Sequence, residues 1–378
     1  MEFYDLNRTP AIFRANAEAK EAQSFQDLAS SNVWQTAASR WGTGQLYACR
    51  VICPRPTRFL TILTREFEAA KEKARRNELS PVIQQLLRGP AEGPAALSRM
   101  TEILIIHTYA KESMGHVWAS LAPLIERNTQ PGDHDRPRRR LLPPPGRQPS
   151  STPTTNIPPV STPSTEASYP SSVGYVEEDV APLLEDVTVR FASEFVRCIL
   201  NHAQKPTRKC SVHWRVQRMK HIVAAPKWTA IDDGGIQVAD RNNRVYQVAL
   251  LEAKRAFQPI QDGRPTVSDE LLGQIVGEAL ALRLSENSLF GDEIFVVIAI
   301  KHYLKFLHLN ISQQFLASFR TMDPAASANP GHYLNVNSTE WLNAATQEGR
   351  RNIVCHTIAL VSKADTIVWD GDPIEDDL

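Results

Sequence analysis

The stretch Trp228–Lys254 reads WTAIDDGGIQVADRNNRVYQVALLEAK. Two segments within it, Gly235–Val238 and Val245–Leu251, are rich in apolar and β-branched side chains, and each predicts a strand. The Asp, Arg and Asn residues of Asp240–Asn243 lie between them and suit a tight reversal of the chain. The stretch therefore predicts a β-hairpin whose second strand ends in an acidic and a basic residue.

Helical patterns lie on both sides of this hairpin. Before it, the apolar residues from Val187 to Ile199 recur at helical spacing. After it, Ser268 suits the N-cap of a helix whose buried stripe runs from Leu271 to Leu282. The segment Glu293–Ile300 is nearly all apolar, as expected of a strand that is buried on both faces. The order helix, strands, helix, strand predicts an α/β (α+β) fold.

The composition predicts three parts of the chain. Residues 1–130 carry apolar side chains at helical spacing and predict a separate, all-α helical domain that chooses partners or substrate. Residues 131–174 are rich in Pro, Ser and Thr and predict a disordered linker. Residues 175–378 hold the α/β pattern. At the head of the linker, Arg136–Arg140 is either a nuclear import signal, a phosphate-contacting arm or a solvated charge run.

Charge and cysteine content point to the compartment more than to the function. The 42 Lys and Arg residues balance the 42 Asp and Glu residues, so affinity for nucleic acid requires a local basic surface. The five cysteines are scattered and predict reduced thiols. The polar N-terminus lacks an apolar signal core, and no run approaches the ~18 apolar residues of a membrane span. We therefore expect an intracellular protein, nuclear or cytoplasmic, with no membrane contact.

The chemistry is expected at the end of the hairpin. Side chains alternate along a strand, so Glu252 and Lys254 project from one face. If Asp233 begins the preceding strand, its carboxylate approaches Glu252, and the two like charges repel unless a cation lies between them. Mg²⁺, or Mn²⁺, is the hard cation that suits such oxygen ligands. Lys254 would then stabilise negative charge on a phosphate or act as the base.

A second copy of the same tripeptide provides a control within the sequence. Glu18–Lys20 repeats Glu-Ala-Lys, but its neighbours favour a helix, and neither a strand nor an Asp-Gly turn accompanies it. Context therefore distinguishes Glu252–Lys254 from this copy.

The set Asp-Asp-Gly-Gly-Ile, Leu-Glu-Ala-Lys and Gln274–Glu278 resembles the PD-(D/E)XK nuclease superfamily, and in particular the nuclease-like domains of fungal proteins. The resemblance covers about Val187 to Ile311. It implies a restriction-endonuclease-like αβββαβ core. It also implies roles for individual residues, with metal ligands at Asp233, Glu252 and the Ala253 carbonyl, catalysis by Lys254, and Gln274 beside the active site.

Some assignments stay open. Ile231 and Asp232 occupy the place of the motif proline, so Asp232 is an alternative ligand to Asp233. Glu194 is either an extra ligand from the first helix or a boundary residue that reaches water. The resemblance implies Mg²⁺-dependent hydrolysis of DNA or RNA. The alternatives are a catalytically inactive nuclease-fold module that binds nucleic acid or protein, and a helical adaptor with a decayed domain.

Overall fold

The computed structural model describes residues 1–109, 114–125, 185–205, 211–240, 244–261, 264–285, 287–326 and 329–370. The predicted linker at 131–174, with its basic cluster, and Cys210 lie outside the described residues. The other four cysteines are buried free thiols. Across the described ranges, no helix has the length and apolar character needed to cross a membrane.

The described residues form a mostly helical N-terminal part, followed by a part that mixes strands and helices. The α-helices are α1 (Phe3–Leu6), α2 (Pro10–Ala19), α3 (Phe25–Ser30), α4 (Thr43–Ala48), α5 (Thr64–Arg75), α6 (Pro81–Arg88), α7 (Pro94–Leu97), α8 (Glu102–Thr108), α9 (Met114–Leu121), α10 (Glu185–Ala203), α11 (Asp269–Leu284), α12 (Gln313–Ser318) and α13 (Gln347–Asp370). The strands are β1 (Val51–Ile52), β2 (Val212–Arg215), β3 (Lys220–Val223), β4 (Trp228–Ile231), β5 (Gly235–Ala239), β6 (Val245–Lys254), β7 (Ile260–Gln261), β8 (Arg264–Pro265), β9 (Glu293–Ile300), β10 (Tyr303–Asn310), β11 (Leu334–Ser338) and β12 (Leu342–Asn343).

One large mixed sheet organises the fold. Its order is β1-β11-β10-β9-β6-β5-β2, with β12 added beside β10. β5 and β6 pair antiparallel, which confirms the predicted hairpin, and β6 pairs with β9 in parallel. The predicted strand Glu293–Ile300 is β9 with the same bounds. The protein therefore has a mixed α/β fold, as the sequence predicts at that level.

The helix α11 crosses over between the parallel strands β6 and β9. Its start is capped as predicted, because the Ser268 hydroxyl accepts a hydrogen bond from the Leu271 N–H at 3.2 Å. Its residues from Leu271 to Arg283 are all buried, so it is covered on every side and not only along one stripe. A Cβ added at Gly273 would lie 2.6 Å from the Trp41 backbone, and this close approach requires glycine.

Two hydrophobic cores cover the two faces of the sheet. The first contains Leu251 and Ala253 of β6 with side chains of α5, α6, α9, α10 and α13. The second contains Leu250 of β6 with side chains of α11 and of residues 3–53. Residues 1–125 are largely helical, in agreement with the prediction, but they also supply β1, which pairs with β11. Both cores thus combine residues from before and after the predicted linker, and the domain boundaries stay a prediction.

A second, small hairpin is inserted ahead of the site. β3 and β4 pair only with each other among the named strands and separate β2 from β5 along the chain. The Trp228 indole at the start of β4 donates to the Gly277 carbonyl of α11 at 3.3 Å. This hairpin was not predicted from the sequence, and it ends directly before Asp232 and Asp233.

Candidate active site at the end of strand β6

Glu252 and Lys254 lie side by side on the face of β6 that α11 covers. The Lys254 ammonium donates a short hydrogen bond to Glu252 Oε1. Glu252 is 1 % exposed, and its second carboxylate oxygen, Oε2, is buried without a hydrogen-bond partner. A buried acceptor without a donor is costly, so this oxygen is suited to a further cation or donor.

Asp233 joins this pair from the segment between β4 and β5. Its N–H donates to the Leu251 carbonyl at 3.1 Å, which continues the pairing of β5 with β6. Its carboxylate oxygen Oδ2 accepts from the Ala253 N–H at 3.1 Å, and Oδ1 lies 3.1 Å from Nη2 of Arg218. The backbone therefore fixes Asp233 beside Glu252, as the sequence predicts for these two carboxylates.

Asp232 points elsewhere. Its two oxygens accept from the Arg215 guanidinium at 2.9 and 2.8 Å, and Oδ1 also accepts from the Met219 and Gly234 N–H groups at 3.1 Å each. Both side chains of this ion pair are buried. Because both of its oxygens accept these hydrogen bonds, Asp232 fixes the position of the backbone around it. The geometry therefore favours Asp233 over Asp232 as the ligand.

Glycine makes this change of direction possible. Gly234 has a φ of 139°, in a region that residues with a side chain rarely adopt. A Cβ on it would lie 2.9 Å from the Arg215 carbonyl oxygen. The chain can therefore pass close to β2 directly after the two aspartates.

Gln274 on α11 completes a chain of hydrogen bonds. Its Oε1 accepts from Lys254 Nζ at 3.2 Å, and its Nε2 donates to Glu278 Oε1 at 2.9 Å. Glu278 is 1 % exposed, and its Oε2 also lacks a partner. The spacing of four residues places both side chains on one helical face, as predicted.

The acid that α10 brings to the site is Glu185. Its Oε2 lies 4.0 Å from Lys254 Nζ. Glu194, the candidate of the sequence analysis, instead lies 3.9 Å from Arg197 of the same helix. It follows Glu185 by nine residues, about two and a half turns, which places it on the opposite side of the helix. Helical phase separates Glu185 from Glu194, but which of the two faces Lys254 depends on how α10 packs against the sheet.

Two further arginines were not predicted as site residues individually. Arg215 and Arg218 belong to a basic stretch of the sequence, Lys205–Lys220. Arg215 is buried against Asp232, whereas Arg218 is exposed and contacts Asp233. A sequence does not reveal which basic residue of such a stretch turns inward.

Burial dominates the electrostatics of the site. It raises the pKa of Glu252 to about 8, an effect that the Lys254 charge opposes and the Asp233 charge strengthens. Burial and the charge of Glu252 also raise the pKa of Glu278 well above its usual range. For Lys254, burial alone would lower the pKa, but the carboxylates around it, Glu252 first, raise it overall. Lys254 therefore remains an ammonium at neutral pH, which favours the charge-stabilising role over that of a base.

The carboxyl groups of the site meet the requirements of a cation only in part. In the parts of the chain that the structure describes, no group of three or more His, Cys, Asp and Glu side chains is arranged to hold a metal ion. Mg²⁺, however, commonly uses only one or two carboxylates and completes its shell with waters and substrate phosphates. The unpartnered Oε2 of Glu252 and the adjacent Asp233 carboxylate fit this smaller requirement.

The chain matches no protein-family model, no curated protein and no solved structure.

Proposed function

We propose that the described α/β region is a PD-(D/E)XK nuclease-like module that hydrolyses phosphodiester bonds of nucleic acid with Mg²⁺ or Mn²⁺. The observation that carries this proposal is the convergence of Asp233 and Lys254 on Glu252, whose Oε2 is buried and unpartnered. Three buried acids, Asp233, Glu252 and Glu278, share this site with two cations, Lys254 and the exposed Arg218. The additional buried acid is a cost that a cation would remove.

The order of elements supports the same proposal. Along the chain, α10, β2, β5, β6, α11 and β9 follow the αβββαβ order, with β2, β5, β6 and β9 adjacent in the sheet. The hairpin β3–β4 is an insertion in this order. The proposed site lies at the end of β6, where β5 and α11 meet it.

Each residue has a distinct task in the proposed reaction. The bound cation would supply charge neutralisation at the phosphate. Asp233 Oδ1 and Glu252 Oε2 would hold it, together with the carbonyl of Ala253. Lys254 keeps its proton and stabilises the negative charge that develops on the phosphate. Gln274 holds Lys254 in position through its Oε1, and Glu278 fixes the Gln274 amide through Nε2.

A catalytically inactive nuclease-fold module that binds nucleic acid or protein is the second candidate. It is favoured by the pairing of Asp233 Oδ1 with Arg218, and by the lack of a three-ligand group within the described ranges. In that case Glu252 and Glu278, whose pKa values burial raises, would be protonated and would hold no cation. Under either candidate, a partner of residues 1–130 and a nuclear or cytoplasmic location remain predictions.

Cleavage by the full-length chain tests the proposal. Purified protein is incubated with labelled DNA and with RNA, in Mg²⁺, in Mn²⁺ and in chelator. We expect the protein to cleave DNA, RNA or both, and this cleavage should require the cation. Glu252→Ala and Lys254→Ala should each abolish it. The control is the double variant Glu18→Ala/Lys20→Ala, which alters the other Glu-Ala-Lys copy and should cleave normally. Binding to nucleic acid without cleavage under all conditions would favour the inactive module instead.

A further inference from the structure

Arg218 is an exposed cation that contacts Oδ1 of Asp233, the carboxylate oxygen that does not accept from the Ala253 N–H. It lies in the loop between β2 and β3, and its side chain is 55 % exposed. Its Nη2 lies 3.1 Å from Asp233 Oδ1 and 4.0 Å from a carboxylate oxygen of Asp186 at the start of α10. Asp232 secures the base of this loop through the Met219 N–H. The loop is therefore anchored, while the guanidinium itself faces solvent.

The geometry creates a competition for Asp233. Its Oδ2 accepts from the Ala253 N–H, so Oδ1 is the more open of the two oxygens for an ion, and Arg218 contacts it. A divalent cation at Oδ1 and a guanidinium at the same oxygen would repel each other. Binding of the ion therefore requires Arg218 to move away.

We propose that Arg218 takes the place of the cation at Asp233 in the cation-free protein, and that it moves to a phosphate oxygen of the substrate when the cation binds. The second half of this inference rests on the proposed nuclease function, whereas the first half does not. The planar guanidinium suits both partners, because it pairs with carboxylate and phosphate in the same forked geometry. Its long, exposed side chain permits the exchange without a change in the anchored loop. Arg218 is then a catalytic residue of the proposed reaction.

Cation affinity tests the first half. Binding of Mn²⁺ to the full-length chain is measured by the loss of the free Mn²⁺ signal in electron paramagnetic resonance. Removal of the competitor in Arg218→Ala should tighten Mn²⁺ binding by about two- to fivefold, the range typical of an exposed ion pair. Arg218→Lys retains a positive charge and should bind Mn²⁺ with an affinity close to that of the wild type.

The matched control is Arg190→Ala. Arg190 is also a half-exposed arginine in an ion pair, with Glu102 at 2.6 Å, and it lies outside the site. Its replacement should leave Mn²⁺ affinity unchanged. Unchanged or weaker Mn²⁺ binding in Arg218→Ala would overturn the inference, because an arginine that merely positions Asp233 would favour the ion. Absence of Mn²⁺ binding in both the wild type and Arg218→Ala would overturn it as well.

Cleavage rates test the second half. In Arg218→Ala, kcat should fall by about tenfold to a hundredfold, while KM changes little, because the phosphate contact acts on the developing charge. Tighter Mn²⁺ binding together with an unchanged kcat would overturn the transfer to phosphate. If the wild type binds Mn²⁺ and cleaves no substrate, the nuclease proposal fails, while the competition at Asp233 is still read from the Mn²⁺ affinities.

Discussion

Replacement of Asp232 by alanine should destabilise the protein strongly. Asp232 and Arg215 form a buried ion pair in which the side chains are 1 % and 6 % exposed. The variant leaves the Arg215 charge buried, although the Gly234 carbonyl at 3.0 Å and Gln247 Oε1 at 3.1 Å still accept from it. Loss of one partner of a buried pair typically costs about 3–5 kcal/mol. We expect a loss of this size in the free energy of unfolding.

Urea unfolding, followed by the fluorescence of the tryptophans, measures this loss. Asp186→Ala removes a carboxylate that is 83 % exposed and should change the free energy of unfolding by no more than about 0.5 kcal/mol. The double variant Arg215→Met/Asp232→Leu removes both charges and should recover much of the stability. If Asp232→Ala lowers the free energy of unfolding by less than about 1 kcal/mol, the stabilising role of the buried Asp232–Arg215 pair is refuted, since such a value is typical of an exposed pair.

Two further predictions concern buried positions away from Asp232. Burial lowers the pKa of Lys305 from 10.5 to about 7. Between these two pH values the unfolded chain holds a proton on Lys305 that the folded chain has lost, so the contribution of Lys305 to the free energy of unfolding rises with pH. Lys305→Met should remove this slope, measured by urea unfolding at pH 7, 8.5 and 10; an unchanged slope would contradict the assignment. Gly273→Ala should destabilise by about 1–3 kcal/mol through a clash with the Trp41 backbone, although alanine favours helices. Gly44→Ala, where the nearest atom is 4.0 Å away, should be neutral or up to about 1 kcal/mol stabilising, and equal thermal shifts for the two variants would argue against this packing.

The elements around the site could be predicted because their patterns are local. Runs of apolar and β-branched residues predicted β5, β6 and β9. The N-cap residue Ser268 and the apolar stripe after it predicted α11. Alternation along β6 also placed Glu252 and Lys254 on one face. These features depend on the periodicity of single elements, which a sequence displays directly.

The choice between Asp232 and Asp233 could not be predicted. It depends on the backbone at Gly234 and on Arg215, which comes from β2 in the neighbouring position of the sheet. The same limit applies to Glu185, since its approach to Lys254 follows from how α10 packs on the sheet. Contacts between distant segments leave no periodic signal in one sequence.

The packing of the N-terminal part was also not predicted. The sequence indicated helices there, but it did not indicate that Trp41 would lie against α11 or that Val51 would pair with Leu334. The glycines Gly273 and Gly277 were the available signal, because glycine inside a helix often marks a close approach. From the sequence alone, these glycines do not show which segment packs against the helix.

The most direct test of the proposed site is the position of a bound cation. A crystal of the full-length chain soaked in MnCl₂ and measured near the manganese absorption edge would show the ion by its anomalous signal. We predict a peak about 2.1 Å from both Asp233 Oδ1 and Glu252 Oε2, with Arg218 displaced from Asp233. A crystal with manganese bound only elsewhere, and with Arg218 still paired to Asp233, would contradict the account.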